Sequence, residues 1–280
     1  MRLMAAVVVA LGAASSVQAE EYSKSYAVTG RPEVHVHVDD SSVHVITSDT
    51  QSVEFNVKRA GTSGLMLGGG LKIESHQDGN RVELTVLHKP GIALGFSEKT
   101  LVTEVRMPRE ADLKVESRDG AVQAAQLNGR IELRSIDGAI TVDELKGDVR
   151  LHSTDGAVTV THFDGKCDAS STDGSLRAEG RFDELNLTTT DGSVVARVAA
   201  GSKMNSAWNI RSVDGSLEVL LPRDFQANIQ ASTVDGHINL ALPVTVQGEI
   251  GKSKVRGTLN GGGQELTLKS TDGSIRLGES

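Results

Sequence analysis

The sequence predicts an all-β protein whose chain coils into a single-stranded, right-handed parallel β-solenoid (a β-helix) with rungs of about 18 residues. Three observations predict it: a Ser/Thr-x-Asp-Gly tetrapeptide recurs eight times, apolar residues keep fixed positions around it, and no helical period follows the N-terminal segment. Gly makes up 30 of the 280 residues and Pro only 5, which suits many tight turns, and the 3% aromatic content indicates an aliphatic core.

The first segment, residues 1–19, has the pattern of a secretory signal peptide. It contains Arg2, an apolar run from Leu3 to Ala14, and the small-residue ending Val17-Gln18-Ala19. The apolar run is too short for a permanent membrane span. We therefore expect an exported protein, periplasmic or extracellular, with no transmembrane segment.

Residues 20–110 predict a less regular N-terminal β region that caps the solenoid. Asp78-Gly79 predicts a hairpin, and two Gly-containing loops are expected at Gly61–Gly70 and His88–Lys99. The apolar residues of these loops either belong to the cap or contact a partner. The predicted strands lie around Val34–Val38, Val43–Thr47, Val53–Lys58, Leu71–Ser75, Val82–Leu87 and Leu101–Met107.

Residues 111–280 contain the repeat. The spacings between successive aspartates are 18, 18, 18, 18, 23, 21 and 37, and the last is close to two periods. The turn column consists of Asp119-Gly120, Asp137-Gly138, Asp155-Gly156, Asp173-Gly174, Asp191-Gly192, Asp214-Gly215, Asp235-Gly236 and Asp272-Gly273. Two residues before each Asp stands a hydroxyl residue: Ser117, Ser135, Ser153, Ser171, Thr189, Ser212, Thr233 and Ser270.

Apolar residues occupy the positions six and four before each Asp, and three and five after it. The spacing of two within each pair predicts two short strands per rung, each with one buried face. A second turn is expected halfway between, at Asn128-Gly129, Lys146-Gly147 and Asp164-Gly165, where Gly supplies a positive φ.

The rival fold is an antiparallel meander, because Asp-Gly between alternating strands is also a hairpin signal. A meander would place every apolar column on one face of a wide sheet, and no helix is available to cover that face. A solenoid turns each column inward, so we favour the solenoid.

Stacking the aspartates has a cost, since unit charges about 4.8 Å apart repel by about 0.9 kcal/mol even at the dielectric constant of water. The carboxylates are either solvated turn residues with backbone partners or a column that binds calcium. The candidates for such a calcium column are Asp119, Asp137, Asp155, Asp173 and Asp191.

Few other residues suggest chemistry. His35, His37 and His44 are expected on the polar face of two neighbouring strands, either as solvated side chains or as ligands of a shared metal. Cys167 and Trp208 occupy an inward apolar column, which predicts core packing rather than a nucleophile or a sugar-stacking platform.

No catalytic constellation and no cofactor-binding motif is evident, so we expect neither a catalytic site nor a cofactor. The net charge of −8 argues against nucleic acid as a partner. A single Cys excludes an intramolecular disulfide.

Residues 38–45 (VDDSSVHV), 105–108 (VRMP) and the Ser/Thr-x-Asp-Gly rungs resemble the bacterial β-strand-repeat family labelled "putative adhesin", a domain-of-unknown-function family. The resemblance covers nearly all of the chain after residue 19. It implies an exported β-solenoid of the cell envelope, and it carries no catalytic or cofactor residues.

These observations favour an exported, non-catalytic β-solenoid that acts as a binding, scaffolding or adhesin-like component of the bacterial envelope. An envelope protein or a polysaccharide is the expected class of partner. Two alternatives stay open: a carbohydrate-active enzyme on a β-helix, and a calcium-stiffened secreted rod.

Overall fold

The computed structural model describes residues 20–62, 65–94, 98–242, 245–246 and 251–280, and the predicted signal peptide lies outside them. The only regular secondary structure in these residues is β-strand, and within them no helix is long and apolar enough to cross a membrane. The all-β prediction is confirmed. The strands are β1 Glu20–Ala27, β2 Glu33–Val38, β3 Ser42–Ser48, β4 Ser52–Thr62, β5 Leu65–Asp78, β6 Arg81–Leu94, β7 Glu98–Pro108, β8 Asp112–Ser117, β9 Val122–Ala125, β10 Asn128–Ser135, β11 Ile140–Asp143, β12 Lys146–Ser153, β13 Val158–Ser171, β14 Leu176–Thr189, β15 Val194–Val198, β16 Trp208–Arg211, β17 Leu217–Leu221, β18 Ala227–Ser232, β19 Ile238–Leu240, β20 Thr245–Val246, β21 Lys254–Leu259, β22 Glu265–Lys269 and β23 Ile275–Glu279.

The repeat builds two stacks of parallel strands. Sheet 1 contains the strands that lead into the Asp-Gly turns, among them β8, β10 and β12, and Gly129 pairs with Gly147. Sheet 2 contains the strands that follow the turns, among them β9 and β11, and Ile140 pairs with Val122 and Val158. β13 and β14 bend from sheet 2 into sheet 1 and contribute to both. Successive rungs are therefore parallel, as a solenoid requires and a meander does not allow.

The core lies between the two sheets and contains the four predicted apolar columns, together with buried residues outside them such as Leu127, Leu145 and Phe163 near the second turn. One of these columns runs through Leu113, Ile131 and Val149, whose side chains are at most 2% exposed. Ile238 and Leu240 are only half-buried, because β19 forms the last strand of sheet 2. Burying each large aliphatic side chain contributes about 1.5–3 kcal/mol, so the interior is held mainly by these columns.

At the C-terminal end the rungs do not stack in the order of the sequence. β22 lies between β16 and β18, and β23 lies between β17 and β19. The backbone N–H of Asp272 donates to Val213, and that of Asp235 donates to Thr271. The 37-residue spacing is close to two periods in length, but the chain turns back over this segment and inserts its last strands between two earlier rungs.

The second turn of each rung agrees with the prediction at Gly147 and Gly165, whose φ is positive at 119° and 141°, and differs from it at Gly129, whose φ is not positive. Positive φ also occurs at Gln126, Glu144 and His162, at 59°, 53° and 48°, three positions before each predicted glycine. A Cβ on Gly129 would lie 2.0 Å from the carbonyl oxygen of Ala111. Glycine is therefore needed here because adjacent backbones approach closely, and in the first of these turns it does not supply a left-handed φ.

The N-terminal region continues both sheets. β2 pairs with β8 in sheet 1, and β3 pairs with β9 in sheet 2. The hairpin predicted at Asp78-Gly79 is confirmed, since β5 and β6 pair antiparallel up to Asp78 and Arg81. β1 pairs with β4, and the hydroxyls of Tyr22 and Tyr26 each lie 2.5 Å from Ser75 Oγ on β5, which closes this end.

The prediction of loops at Gly61–Gly70 and His88–Lys99 is wrong for the described backbone. β4 extends to Thr62 and pairs with β7, and β5 begins at Leu65 and pairs with β6. The glycines do not end these strands, because the backbone of the first predicted loop pairs with the backbone of the second. The predicted contact of the loop side chains Leu65, Met66, Leu67, Ile92, Leu94 and Phe96 with a partner lies outside the described residues.

Candidate functional site

The hydroxyl residues of the Ser/Thr-x-Asp-Gly turns form a buried hydrogen-bonded ladder. Ser153 Oγ accepts from the backbone N–H of Gly156 at 3.0 Å and donates to the carbonyl of Gly138, one rung earlier, at 3.2 Å. Ser171 repeats this arrangement with Gly174 and Gly156. All eight hydroxyl residues of the repeat are at most 7% exposed. The hydroxyls thus link consecutive rungs, which explains why only Ser or Thr occupies this position.

Replacing Ser153 by alanine is expected to lower the free energy of unfolding by about 1–3 kcal/mol, because the backbone N–H of Gly156 loses the Ser153 Oγ that accepts its hydrogen bond in a buried turn. Urea denaturation would measure the change. Ser175→Ala is the matched control, since Ser175 is exposed and lies just before β14. Equal stability of the two variants would contradict the structural role of the ladder.

The eight aspartates of the column lie exposed in a single row along one edge of the solenoid. Their backbone N–H groups are bonded across rungs: Asp155 donates to Ile136 and Asp173 to Thr154, both at 2.9 Å. The turns stack through the backbone, and the carboxylates remain in solvent.

The repulsion expected from stacked carboxylates appears at Asp214. A side-chain hydrogen bond with Asp191 and the charges of Asp191 and Asp272 raise the pKa of Asp214 above its ordinary value of 3.8. The raised pKa means that the folded state favours the protonated form of Asp214. Its contribution to the free energy of unfolding is therefore complete below pH 3.8, and it is lost as the pH rises through the raised pKa.

Replacing Asp214 by asparagine is therefore expected to raise the melting temperature at pH 7, with a gain that shrinks as the pH falls through the raised pKa of Asp214 toward 3.8. Thermal unfolding followed by circular dichroism at a series of pH values would measure this. Asp49→Asn, in an exposed turn away from the column, is the control. A gain independent of pH would show that carboxylate repulsion is not the cause.

The three histidines considered as ligands of a shared metal are not brought together. His35 and His37 lie on β2, next to Glu33 at 2.8 Å and Glu116 at 3.5 Å, and His44 lies on β3. The expectation that these strands are neighbours is wrong, because the turn between them carries the chain from sheet 1 to sheet 2. In the described part of the chain, no three His, Cys, Asp or Glu side chains form a group suited to a metal ion.

Cys167 and Trp208 lie in the core. Burial raises the pKa of the Cys167 thiol to about 12, which disfavours the reactive thiolate. Trp208 is fully buried and packs against Phe182 and Phe225, with ring centroids 6.3 and 5.3 Å apart. Neither side chain is available for surface chemistry.

Sequence reasoning missed a charge pattern on the outer face of sheet 1. Lys166 lies 2.9 Å from Glu184 on the next rung, and Asp112 is paired with Arg31 at 2.7 Å. The signs alternate along one column, so stacked neighbours attract rather than repel. The signal was present at the 18-residue spacing. The column contains Asp112, Arg130, Asp148, Lys166 and Glu184.

Three interruptions of the repeat meet at one place. Residues 201–204, 224–226 and 263–264 are far apart in sequence, and they line a common cavity of about 480 Å³. The inserted C-terminal segment brings the third of these stretches beside the first two. The sequence could not reveal this site, because it depends on the order in which the rungs stack.

The cavity combines polar and apolar groups in the manner of a ligand site. Lys203, Asp224, Gln226 and Gln264 are exposed, Ser202 and Met204 are half-buried, and Phe225 is buried. Neither Lys203 nor Asp224 forms an ion pair within the described residues. The cavity therefore offers donors and acceptors of several kinds, without the paired carboxylates that glycoside hydrolysis uses.

Comparisons with known proteins complete this description. Residues 32–278 match the family model described as Toastrack DUF4097. The chain is similar to the crystal structure of "a putative cell adhesion protein from Clostridium sporogenes", with 13% identity, a TM-score of 0.29 and coverage of 94% of this chain and 100% of that chain. It is also similar to that of "a putative adhesin" from Bacteroides fragilis, with 9% identity, a TM-score of 0.44 and coverage of 93% and 97%. The comparison with curated proteins found no match.

Proposed function

The chain belongs to the Toastrack DUF4097 family, and from this premise we propose that it is an exported, non-catalytic β-solenoid that binds polysaccharide as an adhesin-like scaffold of the bacterial envelope. This membership confirms the resemblance found in the sequence. The right-handed sense of the coil, the removal of residues 1–19 as a signal peptide and the division of the chain at residue 110 are part of this proposal.

The observation that carries the proposal is the convergence of three repeat interruptions on one cavity. A rigid solenoid with a regular repeat needs no insertions for stability, so insertions that line a common concave surface favour a binding role. The volume of about 480 Å³ lies within the range of small-ligand sites and would accept about one or two sugar units.

The chemistry of the cavity favours a hydroxyl-rich ligand. The side-chain amides of Gln226 and Gln264 each offer donors and an acceptor, and Ser202 adds a hydroxyl. Lys203 and Asp224 supply one charge of each sign, so the site has no strong preference for a cation or an anion. A polysaccharide presents many neutral hydroxyl groups and suits this arrangement better than a highly charged polymer.

The test is retention of envelope polysaccharides and peptidoglycan by the immobilised chain that begins at residue 20. The double variant Gln226→Ala/Gln264→Ala should lose at least about tenfold in retention, because two pairs of hydrogen bonds at about 1 kcal/mol each are removed. Gln123→Ala, on the outer face of sheet 2, is the control and should bind like the wild type.

Two results would overturn the proposal. The first is retention of no polysaccharide, or equal retention by the cavity variant and the wild type. The second is release of soluble fragments from any polysaccharide by the purified chain, which would indicate an enzyme.

A further inference from the structure

The outer face of sheet 1 changes its charge pattern along the solenoid. In the strands up to β14, cations stand beside carboxylates of the adjacent strands. Arg150 lies between Glu132 and Asp168, and Lys166 contacts Glu184 at 2.9 Å. Opposite charges on neighbouring strands stabilise their pairing, so this part of the face balances its own charge.

Beyond β14 sheet 1 continues with β16, β22, β18 and β21, and here cations lie next to one another. Arg211 on β16 is in register with Lys269 on β22. On the other side of Lys269 comes Ser232, and then Lys254 on β21. Arg256 lies two residues farther along β21. All four cations are exposed, and we call Arg211, Lys254, Arg256 and Lys269 the basic face.

No ion pair balances the basic face within the part of the chain that the structure describes. Arg211 donates to the side-chain oxygen of Asn209 at 3.2 Å. Glu265 is the one carboxylate on β16, β22, β18 and β21, and it accepts from the hydroxyl of Thr267 at 2.9 Å. Four cations against one carboxylate give these strands a charge of +3, in a chain whose net charge is −8. Like charges on adjacent strands destabilise their pairing, so this arrangement favours a surface whose counter-charge comes from a ligand.

A row of neutral polar side chains runs beside the basic face. The column that carries charged residues in the earlier strands continues on β14, β16, β22 and β18 with Asn186, Asn209, Thr267 and Gln230. All four side chains are half-buried. Amide and hydroxyl groups both donate and accept hydrogen bonds. Because adjacent strands lie about 4.8 Å apart, the neutral row and the basic face form an open surface about 14 Å long.

We propose that the basic face binds an anionic polysaccharide, a chain of sugars that carry carboxylate groups. The carboxylates pair with the ammonium and guanidinium groups, and an arginine can hold a carboxylate through two parallel hydrogen bonds. The sugar hydroxyls bond to the amides of the neutral row. A single exposed ion pair is weak, but several contacts to one polymer act together because each raises the effective concentration of the next group.

The position of the carboxylates favours a polysaccharide over a nucleic acid. Asp214 and Asp272 lie three residues beyond Arg211 and Lys269, in the aspartate row along the edge of the same sheet. Duplex DNA carries one negative charge per about 1.7 Å of its axis, so a duplex on the basic face would also meet these aspartates. A polysaccharide with one carboxylate per sugar has a lower charge density, and it offers hydroxyls to the neutral row.

This inference goes beyond the proposed function, because it concerns side chains outside the cavity and a charged ligand. Its test changes no residue of the cavity and compares a charged polymer with its neutral ester, so the two proposals can fail separately.

The test is isothermal titration calorimetry of the chain that begins at residue 20 with polygalacturonate and with its methyl ester, which has the same backbone without the charge. We expect binding to polygalacturonate that weakens with added salt, and binding to the ester that is weaker by at least about tenfold. Arg211→Gln/Lys269→Gln should lower the affinity for polygalacturonate by at least about tenfold, because two charge-assisted contacts are lost.

Lys114→Gln/Arg134→Gln is the matched control. It removes two cations from the same face of sheet 1 that are paired with Glu116 and Glu132, and it should bind polygalacturonate like the wild type. Circular dichroism melts of both double variants separate loss of binding from loss of folding.

Four results would overturn the proposal: no binding to polygalacturonate at low salt, equal binding to its methyl ester, undiminished binding by Arg211→Gln/Lys269→Gln, or an equal loss in the control variant. Duplex DNA bound as tightly as polygalacturonate would also overturn it and would indicate a nucleic-acid surface instead.

Discussion

Replacing Gly156 by alanine is expected to lower the free energy of unfolding by about 3–5 kcal/mol, the range of severe single substitutions. A Cβ at this position would lie 2.2 Å from the carbonyl oxygen and 2.5 Å from the carbonyl carbon of Gly138, and 2.7 Å from Ser153 Oγ. The first two atoms belong to the backbone of the adjacent rung, which cannot move without breaking the hydrogen bond from Asp155 to Ile136. Urea denaturation followed by circular dichroism would measure the loss.

Gly251→Ala is the control for this experiment. Gly251 has no positive φ, and a Cβ there would meet its nearest atom at an ordinary distance of 3.7 Å. We expect a change within about 0.5 kcal/mol for this variant. If Gly156→Ala were tolerated equally well, the close stacking of the Asp-Gly turns would be incorrect.

Leu277→Ala is expected to cost about 3–4 kcal/mol, and Leu240→Ala only about 1 kcal/mol, although both occupy the same column of the repeat. Leu277 is fully buried because β23 lies between β17 and β19, and it pairs with Val219 on one side and Leu240 on the other. Leu240 is half-buried in the last strand of sheet 2. The same substitution therefore removes more contacts from the residue that comes later in the chain.

This comparison tests the inserted C-terminal strands directly. If the rungs stacked in sequence order, Leu240 would be interior and Leu277 would be terminal, so the two losses would be reversed. Urea denaturation of both variants under the same conditions distinguishes the two arrangements, and a larger loss for Leu240→Ala would contradict the insertion.

The regular part of the fold could be predicted because its determinants are local and repeated. The alternation of Leu113 and Val115 before a turn, and of Val122 and Ala124 after it, defines two half-buried strands in every rung. The hydroxyl of Ser135 or Ser153 is required by the turn itself. Sequence alone indicated that these positions are equivalent, although it did not indicate that the hydroxyls of Ser135 and Ser153 each bridge two glycines.

The candidate site could not be predicted in the same way. Lys203, Gln226 and Gln264 lie in three separate interruptions, and they line one cavity only because β22 inserts beside β16. The histidines give the opposite lesson: His37 and His44 are close in sequence, but the turn between them places them on different sheets. In neither case does the separation of the residues along the chain indicate their distance in the fold.

The amino-acid sequence by itself determined the two-strand rung, the inward apolar columns and the Ser/Thr-x-Asp-Gly turn, because each depends on residues within about one period of the repeat. Tertiary structure decided the order of the last rungs, the antiparallel pairing of the N-terminal strands and the position of the cavity. The physical reason is that any apolar strand of this period can stack on any other with similar hydrogen bonds and burial. The choice among neighbours therefore depends on the lengths and paths of the connecting segments, which no local pattern encodes.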